Sequence, residues 1–252
     1  MIDSYGLCDV GLVRKQNQDR ILIDDSVGLF VVADGMGGHV HGEIAAQEAL
    51  TAIQFYIDSS SDRFDVSWPF GYSFDLSIDA NRIATGIQLA NRRVRLQAQQ
   101  NPDTAGMGTT VAAVLVNDSH AVVANVGDSR IYLFRGGELQ QLSIDDTWIE
   151  SMTTQGLMNS TEAQNHPMRN VLTQAAGSKD MVEVHVHERR LESKDTFLLS
   201  SDGLHGVIGN EGILSILRQG LDLQRCAERL VEAAKANGAP DNVSVVLLSY
   251  NL

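Results

Sequence analysis

Short apolar runs of Val, Ile, Leu and Phe recur along the chain, and many of them stop at an aspartate. They are Ile21–Ile23, Leu29–Ala33, Thr110–Val116, Ala121–Val126, Ile131–Phe134, Thr196–Ser200 and Val243–Tyr250. Each has strand length and β-branched content, and turn chemistry separates several of them. V-N-D-S-H-A and F-R-G-G-E-L join neighbouring runs through residues that accept positive φ, so hairpins and antiparallel pairing are expected there. Between the runs lie segments of helical period. Ala45, Ala49, Ala52 and Tyr56 recur within Glu43–Ile57, and Ile83, Ile87, Ala90 and Val94 within Asn81–Gln99. Leu223, Ala227, Leu230 and Ala234 recur within Asp222–Asn237, where Gly238 is placed as a C-terminal cap. Each helix has one apolar stripe and so covers one side of something. Antiparallel strands with helices segregated outside give an α+β layered domain.

The chain of 252 residues is long enough to bury a sizeable core, with 43% of its residues hydrophobic. A single domain over 1–252 is expected, interrupted by two irregular segments, an insert at about 59–79 and a second at about 145–177. The formal net charge of −13 argues against nucleic acid and against an anionic membrane surface. Cys8 and Cys226 lack metal-ligand spacing and suggest a reducing compartment without disulfides. No run approaches the ~20 apolar residues of a membrane span, and Met1–Asp9 has no signal-peptide pattern. A soluble cytoplasmic protein is expected.

The strand ends carry the chemistry. In F-V-V-A-D-G-M-G-G-H the buried run closes on Asp34, followed by glycines. Asp128 follows Ala121–Val126, Asp202 follows Thr196–Ser200, Asp241 precedes Val243–Tyr250 and Asp19 precedes Ile21–Ile23. Taken singly, an Asp beside Gly is ordinary turn chemistry. If the strand ends converge, however, the carboxylates repel. Two like charges ~4 Å apart cost about 4 kcal/mol at an effective dielectric near 20. Cations relieve that cost, and an oxygen-only ligand set favours hard ions such as magnesium or manganese. Gly35, lacking a side chain, lets its carbonyl come close to such an ion. Arg14, five residues before Asp19, has the geometry to clamp a phosphate.

In this order along the chain, the motifs resemble the PPM, or type 2C, metal-dependent Ser/Thr protein phosphatases in their compact bacterial form. The resemblance rests on G-L-V-R-K-Q-N-Q-D (Gly11–Asp19), V-A-D-G-M-G-G-H (Val32–His39), G-T-T (Gly108–Thr110) and V-G-D-S-R-I-Y (Val126–Tyr132). It continues in H-P-M-R-N-V-L-T (His166–Thr173), L-S-S-D-G-L (Leu199–Leu204) and P-D-N-V-S-V-V (Pro240–Val246). It implies a four-layer α-β-β-α sandwich, with two mostly antiparallel sheets flanked by helices. It implies phosphoserine and phosphothreonine hydrolysis in proteins by a hydroxide bridging two Mn2+ or Mg2+ ions. Asp34 would bridge the two ions, Gly35 would offer its carbonyl to one, and Asp202 and Asp241 would ligate the other. Asp19 would act through bound water, Arg14 would hold the phosphate, and Asp128 with Asp202 would reach a third, weaker metal position. His39 is the candidate proton donor to the leaving oxygen. The segment after Asp145 would be the family's flap. A cognate Ser/Thr kinase and a monomeric state follow by analogy. The chain departs from the family pattern at Gln18, where Glu is frequent, at Met36, where animal members have His, and at Gly206, where an acidic residue is frequent. The last departure predicts a weakened third metal position.

Overall fold

In the computed structural model, residues 1–37, 41–61, 66–159, 162 and 166–251 are described. Two five-stranded antiparallel sheets form the centre. The first is ordered β1 (Ile2–Asp9), β12 (Val243–Tyr250), β11 (Asp195–Ser200), β8 (Arg130–Arg135) and β9 (Glu138–Gln141). The second is ordered β10 (His185–Arg190), β7 (His120–Val126), β6 (Val111–Asn117), β3 (Leu29–Ala33) and β2 (Arg20–Asp24). A two-residue ribbon, β4 (Gly35–Met36) with β5 (Gly108–Thr109), extends from the ends of β3 and β6. Helices α1 (Gly42–Ser60) and α2 (Ile78–Gln100) pack together and cover the second sheet. Helices α4 (Asp202–Leu217) and α5 (Leu223–Ala236) cover the first, and the short α3 (Trp148–Thr154) lies in the segment after β9. This is the expected α-β-β-α sandwich.

The period-2 alternation of strands explains why the apolar runs are unbroken. In β3, Leu29, Val31 and Ala33 face α1 and α2, where they meet Ala49, Ile53, Ile83 and Ile87. The intervening Phe30 and Val32 face the other sheet and meet Ile131, Phe197, Leu199 and Val246. Across the first sheet, Leu198, Val245 and Leu247 turn outward onto Leu204, Ile213, Ala227 and Leu230 of α4 and α5. Three stacked apolar layers therefore bury both faces of the central strands. Among the described residues, no helix is long and apolar enough to cross a membrane.

The hairpin turns form where their residues demand. Asp118 takes φ +53° between β6 and β7, and Gly136 and Gly137 take +60° and +84° between β8 and β9. Gly238 takes +99° just after α5 and closes it through a bond to the Lys235 carbonyl (3.0 Å). In the insert, α1 runs on to Ser60 and α2 begins at Ile78, capped by the Ser77 hydroxyl on Ala80 N–H (3.1 Å). Three of its aromatic residues pack edge to face, Trp68 on Tyr72 (5.1 Å) and Tyr72 on Phe74 (5.3 Å). Asn81 ties the stretch to α2 by exchanging bonds with Ser73.

Strands β1, β9 and β10, the β4–β5 ribbon, and helices α3 and α4 go beyond the sequence reading. Strand β1 and strand β10 are sheet edges whose half-polar sequences, I-D-S-Y-G-L-C-D and H-V-H-E-R-R, carry no apolar run. Strand β9 is a four-residue edge of the same kind. Helix α4 escapes periodicity because it carries four glycines and is broken at Gly209, whose φ of +64° and ψ of 176° are not helical.

The layered core sets the stability. Phe197, fully buried between the sheets, should lose about 3–5 kcal/mol on Phe197→Ala. Phe74, 93% exposed, should change stability by less than about 0.5 kcal/mol on Phe74→Ala. Urea unfolding of both variants checks the contrast, and equal effects would contradict the layer assignment.

Candidate active site

One end of the sandwich gathers the aspartates. Asp34 leaves β3 with its backbone fixed: its N–H donates to Thr110 Oγ1 (3.0 Å), and its carbonyl accepts from Thr110 N–H (2.9 Å) and Thr109 Oγ1 (2.9 Å). Thr110 Oγ1 also shares a hydrogen bond of 2.7 Å with Ser129 Oγ. That contact ties the β7–β8 turn, which carries Asp128, to the residue that holds Asp34. The turn lies tight against Thr110, since a Cβ on Gly127 would stand 2.7 Å from Thr110 Cγ2.

Asp19 enters from the loop before β2 and is 1% exposed. Its N–H is satisfied by Asn17 Oδ1 (3.0 Å), and its Oδ2 accepts from Ser201 Oγ (2.7 Å). Asp202 opens α4 directly after Ser201. Asp241 stands before β12, where its Oδ2 accepts from Arg14 Nη2 (2.7 Å) and its Oδ1 from Asn242 N–H (2.9 Å). Asn242 braces the Arg14 loop from below. Its Nδ2 donates to the carbonyls of Val10 (2.9 Å) and Gln16 (3.0 Å), and its Oδ1 accepts from Gln18 N–H (2.9 Å).

Gly35 has a second reason to lack a side chain. A Cβ there would lie 2.0 Å from the Gly42 carbonyl oxygen and 2.6 Å from that of Gln18. A Cβ on Gly42 would in turn lie 2.4 Å from the Gly35 carbonyl oxygen. Strand β4 and the first turn of α1 therefore meet backbone to backbone. Of the glycine-rich sequence after Asp34, Gly38 and His39 lie outside the described residues, so the proton-donor expectation for His39 has no structural counterpart here.

The electrostatics register the convergence. Burial pushes the Asp34 carboxyl far above the usual range, and Asp19, Asp202, Asp128 and Asp241 push it further. Burial, then Asp202 and Asp145, raise Asp128 to about 7. Burial, then Asp241 and Asp19, raise Asp202 to about 6 against the opposing charge of Arg14. Asp19 is also raised, by burial, although the hydroxyls of Ser244 and Ser201 oppose the shift. Arg14 is raised by its bond to Asp241. The buried Oδ1 atoms of Asp19 and Asp202 have no hydrogen-bond partner among the described residues. Buried polar atoms without partners are rare and costly. Here they belong to hard oxygen donors around a shared negative centre, which fits a divalent cation. Among the described residues the side chains do not close into a finished cage of three or more ligands. That is expected of like charges whose repulsion is uncompensated.

Beside this centre opens a cleft of about 850 Å³. Arg14, Asp128, Asp202 and Asp241 line one part of it, and Ile149, Glu150, Arg169 and Asn170 of the 145–177 segment line another. Asp145 roots the segment through a bidentate pair with Arg130 (2.9 and 2.8 Å to Oδ2, 3.1 Å to Oδ1). His205 also faces the cleft. Burial drives its pKa well down, helped by Arg130, so its ring is neutral, and its Nδ1 pairs with Ser200 Oγ (3.1 Å). Gly206 has open space where a side chain would stand.

The structure thus brings Asp34, Asp19, Asp128, Asp202 and Asp241 together with Gly35 and Arg14 nearby. Sequence reasoning passed over the residues that hold them: Asn17, Thr110, Ser129, Ser201 and Asn242. All five sit inside the quoted motifs, but a hydroxyl or amide there is equally ordinary turn chemistry, so no signal singled them out.

The family model described as Protein phosphatase 2C matches residues 13–244. The serine/threonine protein phosphatase PstP of Mycobacterium tuberculosis (strain H37Rv) is 35% identical over 95% of this chain. The chain spans only 43% of the length of PstP. The protein phosphatase PhpP of Streptococcus pneumoniae (strain D39) is 34% identical over 97% of this chain and 96% of its own length. The crystal structure of the PstP catalytic domain in complex with two manganese ions superposes with a TM-score of 0.84 at 31% identity, covering 100% of this chain and 99% of that one. The chain belongs to the protein phosphatase 2C family, the metal-dependent serine/threonine protein phosphatases.

Proposed function

We propose that this protein hydrolyses phosphoserine and phosphothreonine in phosphoprotein substrates, using Mn2+ or Mg2+ held by the strand-end aspartates. The observation that carries the reading is the set of mutually repelling carboxylates around Asp34, two of them with buried oxygens that have no partner among the described residues. The two manganese ions of the PstP catalytic domain support the choice of metal. Asp34, Gly35, Asp202 and Asp241 are the residues to hold two ions, with Asp19 supporting them from behind. Asp128 with Asp202 faces a third, weaker position, which Gly206 leaves without a further carboxylate. When bound, such ions supply Lewis acidity that lowers the pKa of water and offsets phosphoryl charge.

The chain's own residues bind and orient the ester. Arg14 is 55% exposed at its side chain, reaches the cleft and can exchange part of its bond to Asp241 for phosphate oxygens. Its guanidinium meets charge on the equatorial oxygens as the ester bond breaks. Arg169 and Asn170 face the same cleft from the 145–177 segment, a wall suited to the protein part of the substrate. Neither cysteine suits nucleophilic catalysis, because burial raises both thiols to about 11. A cognate Ser/Thr kinase, a monomeric state and a cytoplasmic location complete the reading by family analogy.

Two outcomes are expected. Asp34→Asn and Asp202→Asn should each lower turnover of a phosphothreonine peptide by roughly 10²–10³-fold or more, while leaving the circular dichroism spectrum intact. Full activity in either variant contradicts the assignment, and hydrolysis confined to small phosphate esters contradicts the substrate class. The second outcome concerns pH. The raised carboxyls hold more protons in the folded than in the unfolded chain between their ordinary range near ~4 and their folded values. Those values are about 6 for Asp202 and about 7 for Asp128. Metal-free protein should therefore lose stability as pH rises through that window, and saturating Mg2+ should remove the loss. Thermal melts with chelator and with Mg2+ check it; a chelated protein that gains stability over the same window contradicts it.

A further inference from the structure

The 145–177 segment is held at its root by more than the Asp145–Arg130 pair. Asp146 is 9% exposed, and its carboxylate serves three separate parts of the chain. Its Oδ2 accepts from Gly127 N–H (2.8 Å), in the turn that carries Asp128. The same oxygen accepts from Gln174 Nε2 (2.8 Å), at the far end of the segment. Its Oδ1 pairs with His185 Nε2 (2.8 Å) on β10. The backbone repeats the pattern: Asp146 N–H donates to the Gly127 carbonyl (3.0 Å), and Thr173 N–H donates to the Asp146 carbonyl (2.7 Å). The bond from Asp146 raises the His185 pKa, which strengthens the pair by charge.

A buried carboxylate that accepts at both oxygens cannot yield one partner cheaply. Moving either end of the segment strains the Gly127 bond, and Gly127 precedes Asp128. We propose that Asp146 is a positioning residue that couples the seating of the 145–177 segment to the placement of Asp128, so that divalent-cation binding and segment seating favour each other. The coupling rests on the reading above, that Asp128 faces the cation site. Linkage makes it reciprocal: a cation drawn to Asp128 stabilises the seated segment by the same factor as the seated segment tightens the cation. Gly127 and Gln174 share one oxygen, which an amide would keep, so the link is broken by Asp146→Ala, which removes both oxygens.

Trp148 lies two residues beyond Asp146. Its N–H donates to the Val171 carbonyl (2.8 Å), and its ring stacks on His166 at 4.9 Å. The chain has two tryptophans, so Trp68→Phe leaves Trp148 as the sole reporter. In that background the full chain is titrated with Mg2+, following Trp148 fluorescence and, on the same samples, the heat of binding. The midpoint should rise about tenfold in Asp146→Ala, as loss of a group that orients a metal-facing residue costs about 10–100-fold in affinity, and by less in His185→Ala. A folded Asp146→Ala protein with the parent midpoint overturns the coupling, as does a parent whose Trp148 is silent to saturating Mg2+. If Asp146→Ala fails to fold, His185→Ala decides, and an unshifted midpoint overturns the proposal. Phosphopeptide turnover is assayed separately. Shifted midpoints in a chain without turnover support the coupling and sink the phosphatase reading; turnover with unshifted midpoints does the reverse.

Discussion

Like charges forced together at one end of the sandwich are the constraint on which this structure turns. The core places five strand ends side by side, and each brings a carboxylate. Burial and mutual repulsion raise Asp34, Asp128, Asp202 and Asp19 above their ordinary range. A protein selected for stability alone would not keep this arrangement, because each uncompensated pair costs kcal/mol that an amide would save. The fold tolerates it because three apolar layers lie beneath. The site is thus a place where stability is given up, and on the proposed function a bound cation restores the balance.

The scaffold around the aspartates is stiff where position matters. Thr110 links Asp34 to the Asp128 turn through Ser129, and Asn242 fixes the Arg14 loop against Asp241. Gly35 and Gly42 let β4 and α1 meet without side chains between them. None of these groups needs to touch a substrate. They hold those that do, which is where small errors in geometry cost most. The segment from Asp145 to Gly177 differs in kind. It is rooted at both ends, by Arg130, Asp146 and the Thr109–Ala176 pairing, and lines the cleft between them.

Much of this was legible in the sequence, for identifiable reasons. The central strands were readable because burial on both faces makes them unbroken apolar runs, and β3 and β12 match their expected bounds. Helices α1, α2 and α5 were readable because each rests one stripe on a sheet. The edges β1, β9 and β10 were not, because half-exposed strands need no such pattern. Helix α4 was hidden by its glycines and the break at Gly209. The aspartates of the site were readable through their recurrence at strand ends. Asn242, Thr110 and Ser129 were not, since nothing in a single hydroxyl or amide tells a bracing role from a turn. Asp146 was equally silent, because its partners Gly127, Gln174 and His185 come together only in the folded chain.

The central claim is that the Asp34 centre exists to hold divalent cations. Anomalous diffraction from crystals grown with Mn2+ tests it most directly. Two strong peaks are predicted within coordination distance of the Asp34, Asp202 and Asp241 carboxylates, with those side chains drawn inward. Crystals that diffract well with Mn2+ in excess, yet show no anomalous density among these carboxylates, would contradict it.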